Sequence, residues 1–329
     1  VGRTRREPES GSARTSDMRN TSSADSRRRL YGPATLALAF VVMSLACSTA
    51  GVQRQLVPTP IVNTRILPSR VTLSYLDQGH GAGPAIVLLP GLSDSWRSYE
   101  RVLPFLPDSL RVVAVSLRGH GDSDKPESGY RAKDFAGDVT TLLNGLGISR
   151  VVAVGHSSAG LVAQRLAIDD PERIVGLVLE SSFSTLRGRE DLQEIVATTM
   201  ASLQDPIDPA FVTRFHSGTI LRPVPEPFLD AMVQESLKVP ARVWREAFSG
   251  LLLEDHTPEL AGIRTPTLLI WGDGDEIIGW QQQQALRSAV AGSQLIVYSG
   301  VGHTPHWEDP ARFAGDLVAF VASLHRRKP

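Results

Sequence analysis

The chain of 329 residues has little cysteine and almost no net charge. Its single cysteine, Cys47, excludes a disulfide framework within one chain. A formal net charge of −1 gives no reason to expect a nucleic-acid partner. The sequence also lacks a glycine-rich dinucleotide fingerprint and closely spaced Cys and His ligands, so we expect neither an organic cofactor nor a metal.

The charge is unevenly distributed along the chain. Residues 1–50 contain eight Arg and four acidic residues, whereas the rest contains 26 basic and 31 acidic residues. Residues 1–33 are polar and basic, and we expect a disordered extension there. Met18 is a candidate start of translation, because starting there would leave a basic region of ordinary length before the next segment.

An apolar segment over residues 34–47 follows three arginines and ends in small residues, which is typical of a secretory signal. Its apolar part of about 13 residues is shorter than the about 20 that span a membrane. The ending Leu45-Ala46-Cys47 resembles a bacterial lipoprotein signal, although Ser44 stands where such signals prefer Leu. We expect Cys47 to be lipidated and to anchor an extracytoplasmic bacterial protein to the membrane. A cleaved signal, giving a soluble secreted or periplasmic protein, and an uncleaved anchor are the alternatives.

After a predicted linker over residues 48–69, apolar strand patterns alternate with helical patterns. Continuous apolar runs are typical of parallel strands that are covered on both faces. Such runs cover residues 85–89, 111–116, 151–154, 174–179, 267–271 and 294–298. Residues 71–76 show instead the alternating pattern of a half-buried strand. The alternation predicts an α/β fold with a mainly parallel, doubly wound sheet over residues 70–182 and 261–329.

One segment, residues 183–260, interrupts this alternation. It contains no strand pattern, and its helical patterns are broken by prolines, among them Pro206, Pro209, Pro223, Pro225, Pro227 and Pro240. A helical insertion at this point would lie over the carboxyl ends of the strands, where open α/β sheets bind ligands. We therefore predict a helical cap that covers the site.

Ser157 lies in the run Gly155-His156-Ser157-Ser158-Ala159-Gly160, between a strand pattern and a helical one. This is the strand–turn–helix context of a nucleophile elbow, and the small flanking residues suit so sharp a turn. Ala159 occupies a position that is more often Gly. Backbone amides at a helix start also favour developing negative charge. We interpret Ser157 as a nucleophile; the alternative is a turn with a capping serine.

A serine hydroxyl is a weak nucleophile that needs a base oriented by an acid. In this fold the acid and then the base follow the serine along the chain, on loops after late strands. Asp275 follows the strand pattern that ends at Trp271, and His303 follows the one that ends at Tyr298. We predict that Asp275 is the acid and His303 the base.

Five other ionisable residues stand close to these positions. Asp273 is predicted to cap its turn, Glu180 is an alternative acid, and His306 is an alternative base. We expect His156, inside the elbow, to point away from the site and His120 to organise its own loop.

Acyl transfer also requires donors for the oxyanion, usually two backbone amides. The residue after the nucleophile, Ser158, supplies one, and the loop after an early strand supplies the other. Leu92, in the loop Pro90-Gly91-Leu92-Ser93-Asp94, is our candidate for the second amide.

These features together resemble the α/β-hydrolase superfamily, in its capped branch with a serine nucleophile. The resemblance covers about residues 71–324, and its marks are Leu89-Pro90-Gly91, residues 118–123, the elbow at Ser157, residues 271–275 and Gly302-His303. It implies hydrolysis of a small-molecule carboxylic ester or lactone through an acyl-enzyme. Carbon–carbon bond hydrolysis, perhydrolysis and ligand binding without turnover are the alternatives.

Two positions depart from relatives in the superfamily. Many relatives carry His where this chain has Pro90. Haloalkane dehalogenases and epoxide hydrolases use Asp at the position of Ser157, so the sequence disfavours both activities.

Overall fold

The structure, a computed structural model, describes residues 61–325. Its strands are β1 (Val62–Ile66), β2 (Thr72–Gln78), β3 (Ala85–Leu89), β4 (Val112–Val115), β5 (Val151–His156), β6 (Ile174–Glu180), β7 (Thr267–Gly272) and β8 (Gln294–Tyr298). Within the described residues they form one eight-stranded sheet in the order β1-β2-β4-β3-β5-β6-β7-β8. The pairs β1/β2 and β2/β4 are antiparallel, and all other neighbours are parallel.

The central strands are apolar along most of their length because helices cover both of their faces. All residues of β3 and β5 are buried, and Leu88 lies opposite Val154 across the pair. Since β3, β5, β6, β7 and β8 are all parallel, the loops that follow them emerge at the same edge of the sheet. That edge therefore brings together segments that are far apart in sequence.

Helices lie on both faces of the sheet. The core helices are α1 (Ala132–Gly145), α2 (Ala159–Asp169), α8 (Trp280–Ala289), α9 (Pro305–Glu308) and α10 (Pro310–His325). Along β3 the side chains alternate: Val87 packs in one core cluster with Leu142 of α1, and Ile86 packs in another with Leu317 of α10. The predicted doubly wound α/β fold is confirmed.

The helical cap lies between β6 and β7. It consists of α3 (Glu190–Ile195), a π-helical turn (Val196–Met200), α4 (Pro209–Ser217), α5 (Glu226–Leu237), α6 (Ala241–Leu253) and α7 (Thr257–Leu260). The cap has an aromatic centre, in which the fully buried Trp244 ring lies edge-on to Phe211 and Phe215 at centroid distances of 5.4 and 5.1 Å. The inserted helices thus pack on one another as well as on the sheet.

One predicted boundary is wrong. Residues 62–66 form β1 at the edge of the sheet, although they fall within the linker predicted over 48–69. The strand carries polar residues and is largely exposed, so it lacks the apolar run that identified the central strands. Residues 1–33, the segment 34–47 and Cys47 lie outside the described residues. In the described part of the chain, no helix is long and apolar enough to cross a membrane.

Candidate active site

Ser157 occupies the sharp turn between β5 and α2. Its φ of +51° lies in the left-handed region, where a residue with a side chain is strained and needs support from its surroundings. The support comes from β6 and the segment after it. The Ser157 amide donates to the Glu180 carbonyl oxygen at 2.8 Å, and the Ser182 hydroxyl donates to the Ser157 carbonyl oxygen at 3.0 Å.

Close packing of the turn explains the glycines on either side of Ser157. A Cβ atom on Gly155 would lie 2.3 Å from the Ala159 carbonyl oxygen, and one on Gly160 would lie 1.8 Å from the Ser182 hydroxyl oxygen. Both distances are far below any van der Waals contact. Residue 159 has room for its methyl group, which is buried.

The structure brings Ser157, His303 and Asp275 together. His303 Nε2 lies 2.8 Å from Ser157 Oγ, and His303 Nδ1 lies 2.8 Å from Asp275 Oδ2. An ionised carboxylate only accepts hydrogen bonds, so His303 Nδ1 carries the ring hydrogen of the neutral imidazole. Nε2 is then the acceptor that faces the serine hydroxyl, as a general base requires.

Asp275 is held as an oriented hydrogen-bond acceptor. Its side chain is fully buried, and its Oδ1 accepts from the backbone amides of Ile277 and Ile278, both at 2.9 Å. The carboxylate therefore receives three hydrogen bonds, counting the one from His303. Asp273 has a structural role instead, because its Oδ1 accepts from the Gly300 amide at 2.6 Å and ties two loops together.

The alternative acid and base pair with each other rather than with Ser157. Glu180 Oε1 lies 2.8 Å from His306 Nδ1 and also accepts from the His306 amide at 2.9 Å. On its other side, His306 Nε2 lies 2.9 Å from Ser98 Oγ. Burial lowers the pKa of His306 and raises that of Glu180 to about 7, so burial disfavours the charged form of both groups.

His156 lies against His303, so the prediction that it points away from the site is wrong. Its Nε2 donates to the His303 carbonyl oxygen at 2.9 Å, and the two rings are 5.0 Å apart between centroids. Burial lowers the pKa of His156 to about 3. The neutral ring therefore supports the loop that carries His303. His120 bonds the Arg118 carbonyl oxygen within its own loop, at 2.8 Å.

The amides of Leu92 and Ser158, the predicted oxyanion donors, both border the cavity that contains Ser157. Neither amide donates a hydrogen bond to any group within residues 61–325. Backbone amides in folded proteins are almost always paired. The two unpaired amides belong to residues that line the same cavity as Ser157, so they are available to an incoming ligand.

Sequence reasoning missed a buried carboxyl group in the same loop. Asp94, two residues after Leu92, is 4% exposed and borders the cavity. Burial raises the pKa of Asp94 to about 8, and the hydrogen bond from Ser98 opposes that rise. His216, on the cap helix α4, faces Asp94 with 4.0 Å between Nδ1 and Oδ1. The sequence could have pointed to Asp94, because an acid stands two residues from the predicted oxyanion residue Leu92. It gave no sign that His216 of the cap would lie opposite Asp94.

The remaining wall of the cavity is mostly apolar. The space, with its opening to solvent included, has a volume of about 660 Å³. The apolar side chains around it come from both the core and the cap: Leu92, Phe183, Leu186, Leu192, Phe215, Phe248, Leu251, Ile277, Ile278 and Trp307. A second apolar cavity of about 390 Å³ also borders Leu92 and Ser158. In the part of the chain that the structure describes, no group of three or more His, Cys, Asp or Glu side chains is arranged to hold a metal ion.

Comparison with known proteins agrees with this architecture. Residues 84–310 match the family model of the alpha/beta hydrolase fold. An uncharacterized protein of Mycobacterium tuberculosis is 30% identical over 264 residues, which are 73% of this chain and 76% of that protein. Epoxide hydrolase 4 of Mus musculus is 27% identical over 291 residues, 80% of each chain. An esterase from a Rhodococcus species has a similar structure, with a TM-score of 0.70, 28% identity, and coverage of 80% of this chain and 99% of that one. The chain belongs to the α/β-hydrolase family.

Proposed function

We propose that this α/β hydrolase cleaves a carboxylic ester or lactone through an acyl-enzyme formed on Ser157. The observation that carries the proposal is the hydrogen-bonded series from Ser157 Oγ through His303 to Asp275, with 2.8 Å at each step. The esterase among its structural relatives supports the reaction class. The epoxide hydrolase does not lead us to propose epoxide opening, because the nucleophile position holds a serine hydroxyl rather than a carboxylate.

In the first half of the reaction, Ser157 Oγ attacks the substrate carbonyl carbon while its proton passes to His303 Nε2. The carbonyl oxygen becomes an oxyanion that accepts hydrogen bonds from the amides of Leu92 and Ser158. Asp275 stabilises the imidazolium and keeps the ring oriented. His303 then returns the proton to the leaving alkoxide, and the alcohol departs.

In the second half, water attacks the acyl carbon while His303 accepts its proton. The tetrahedral intermediate uses the same two amides and collapses to release the carboxylic acid and the Ser157 hydroxyl. Leu92 and Ser158 line both apolar cavities. We assign one to the acyl group and the other to the alcohol group, so both parts of the preferred substrate have apolar surface.

Ser157→Ala tests this reaction directly. With ethyl butanoate and short lactones as substrates, the variant is expected to lose activity by about 10⁴-fold or more. A fluorophosphonate probe should label the unmodified enzyme on Ser157 and leave the variant unlabelled. Ser202→Ala, which changes an exposed serine in the cap, is the matched control and should keep full activity and labelling. Activity retained by Ser157→Ala would refute the assignment.

We also propose that residues 34–47 direct the enzyme out of the cytoplasm and that Cys47 is its lipid attachment site. The sequence pattern of basic, apolar and small residues supports this proposal. Mass spectrometry of the native N-terminus should find a diacylated or triacylated Cys47. An unmodified N-terminus after cleavage would indicate a soluble secreted form instead.

A further inference from the structure

One oxygen of the Asp94 carboxyl group is buried without a partner in the described chain. Oδ2 lies 3.1 Å from Ser98 Oγ, but no group forms a hydrogen bond with Oδ1. The nearest candidate, His216 Nδ1, is 4.0 Å away, which is too far for a hydrogen bond. Leaving a buried polar atom unpaired is unfavourable, because the atom has lost its hydrogen bonds to water. Such an atom at the wall of a binding cavity indicates a ligand group that completes it.

The hydrogen bonds around Ser98 determine what Oδ1 offers to a ligand. Ser98 Oγ has one hydrogen and two lone pairs, and Trp307 Nε1 donates to one of these lone pairs at 2.9 Å. Ser98 Oγ donates its one hydrogen to Asp94 Oδ2 at 3.1 Å, so His306 Nε2, at 2.9 Å, is a second donor to Ser98 Oγ. Asp94 Oδ2 is thus engaged as an acceptor. Oδ1 is left to accept a hydrogen bond when the carboxyl group is ionised and to donate one when it is protonated, and a hydroxyl group can pair with either form.

The other polar side chains of the cavity are already engaged. His216 Nε2 bonds Ser236 Oγ at 2.8 Å, and the Thr219 hydroxyl donates to the His216 carbonyl oxygen at 2.7 Å. His156 Nδ1 is unpaired, but the backbone of Gly91 covers it so closely that a Cβ there would lie 2.8 Å from Nδ1. Among the residues that the structure describes, Asp94 Oδ1 is thus a free polar atom in a wall that is mostly apolar.

We propose that Asp94 Oδ1 forms a hydrogen bond with a hydroxyl group on the substrate, so that the preferred substrates are hydroxylated esters. This inference rests on the proposed function, since it names the substrate class of the same site. Asp94 is two residues from Leu92, and two residues span at most about 7 Å. The hydroxyl group should therefore lie within a few bonds of the carbonyl group that Ser157 attacks.

The test compares esters that differ by one hydroxyl group. Ethyl butanoate is the reference, and ethyl 2-hydroxybutanoate, ethyl 3-hydroxybutanoate and 2-hydroxyethyl butanoate place a hydroxyl on either side of the ester. At least one hydroxylated ester should exceed the reference in kcat/KM by about 10- to 100-fold, as expected when a buried polar atom gains its partner. If the enzyme prefers none of the three, the proposal is overturned.

Two substitutions connect the preference to Asp94. Asp94→Leu removes the carboxyl group and should bring the ratio of kcat/KM values close to one. Asp94→Asn keeps an oxygen that accepts from Ser98 and places its NH₂ group at the position of Oδ1, where it can donate to the substrate hydroxyl, so it should retain the preference. A preference that survives in Asp94→Leu would contradict the proposal. Thermal unfolding checks that each variant is folded, and Asp94→Ala replaces Asp94→Leu if leucine prevents folding.

Binding to Ser157→Ala separates this inference from the proposed reaction. Calorimetric titration of the same esters onto that variant needs no turnover. Tighter binding of a hydroxylated ester, lost in the Ser157→Ala/Asp94→Leu double variant, would support the role of Asp94 even if the unmodified enzyme hydrolysed none of these esters. Equal binding of all four esters would refute the role of Asp94 while leaving the Ser157 reaction intact.

Discussion

The hydroxyl group of Ser236, on the cap helix α5, lies 3.1 Å from the carbonyl oxygen of Ser93 in the loop after β3. It also lies 3.0 Å from the Ser93 hydroxyl oxygen, and His216 of the cap bonds Ser236 in turn. Ser93 has a φ of +68°, a strained conformation for a residue with a side chain. It directly follows Leu92, whose amide is the proposed oxyanion donor. The cap therefore stabilises the loop conformation on which that donor depends.

Ser236→Ala should lower kcat by about three- to thirtyfold and change KM much less. The substitution removes the contact to Ser93, so the Leu92 amide is held less firmly where the oxyanion forms, and a weakened oxyanion donor acts on the transition state. Steady-state kinetics with ethyl butanoate measure the effect. Ser202→Ala, another serine of the cap, should be unchanged. A purely structural role for Ser236 would instead lower thermal stability and leave kcat of the folded enzyme unaffected.

Asp275→Asn should reduce kcat by about 10³- to 10⁴-fold. An amide at this position no longer stabilises the imidazolium, and its NH₂ group competes for the tautomer of His303 that the reaction needs. Asp273→Asn is the matched control two residues away, because an asparagine oxygen can still accept the hydrogen bond from Gly300. The control should retain activity within about threefold. Equal losses of kcat in both variants would show that activity depends on the conformation of the loop rather than on the carboxyl group of Asp275.

Gly160→Ala should lower the free energy of unfolding by at least about 1–3 kcal/mol, because the new Cβ would overlap Ser182. Gly137→Ala is a control on the exposed side of α1, where a Cβ meets nothing within 4 Å. That variant should gain about 0.5–1 kcal/mol from its helix preference. Chemical denaturation measures both changes. Adding Ser182→Gly to Gly160→Ala should recover part of the loss, and no recovery would contradict the steric explanation.

Asp94→Asn should weaken the dependence of stability on pH between about pH 6.5 and 8. The pKa of Asp94 is raised to about 8 in the folded protein from 3.8, so over this range the folded state holds a proton that the unfolded state lacks. Stability of the unmodified protein therefore falls as pH rises, by up to about 1.4 kcal/mol per pH unit from this group. The variant lacks this contribution.

Chemical denaturation at both ends of the range measures this difference. The buried histidines His120 and His216 do not affect this comparison. Burial lowers their pKa values to about 4, so they reduce the stability of the protein only below about pH 6.5, where the unfolded state takes up their protons. Glu180, whose pKa burial raises to about 7, contributes to both proteins alike. Parallel stability curves for the two proteins would show that Asp94 is ionised at neutral pH.

Local patterns were enough to predict most of the fold and to select Ser157, Asp275 and His303, which the structure brings together. A strand that is covered on both faces appears as a continuous apolar run, and this pattern is visible in a single segment such as residues 85–89. The turn at Ser157 needs small neighbours, and these also lie within six residues of one another. Edge strand β1 lacks such a pattern because its side chains are largely exposed, so the sequence predicts a linker there.

The sequence by itself determined the sheet, the inserted cap and the order of Ser157, Asp275 and His303 along the chain. Only the tertiary structure decided which histidine faces the serine, because His303 and His306 are three residues apart and differ in the partners that distant segments offer them. It also decided the environment of Asp94 and the contact between Ser93 and Ser236, which joins residues 143 positions apart. Pairing and burial of this kind depend on how the cap packs against the oxyanion loop, and no local pattern encodes that packing.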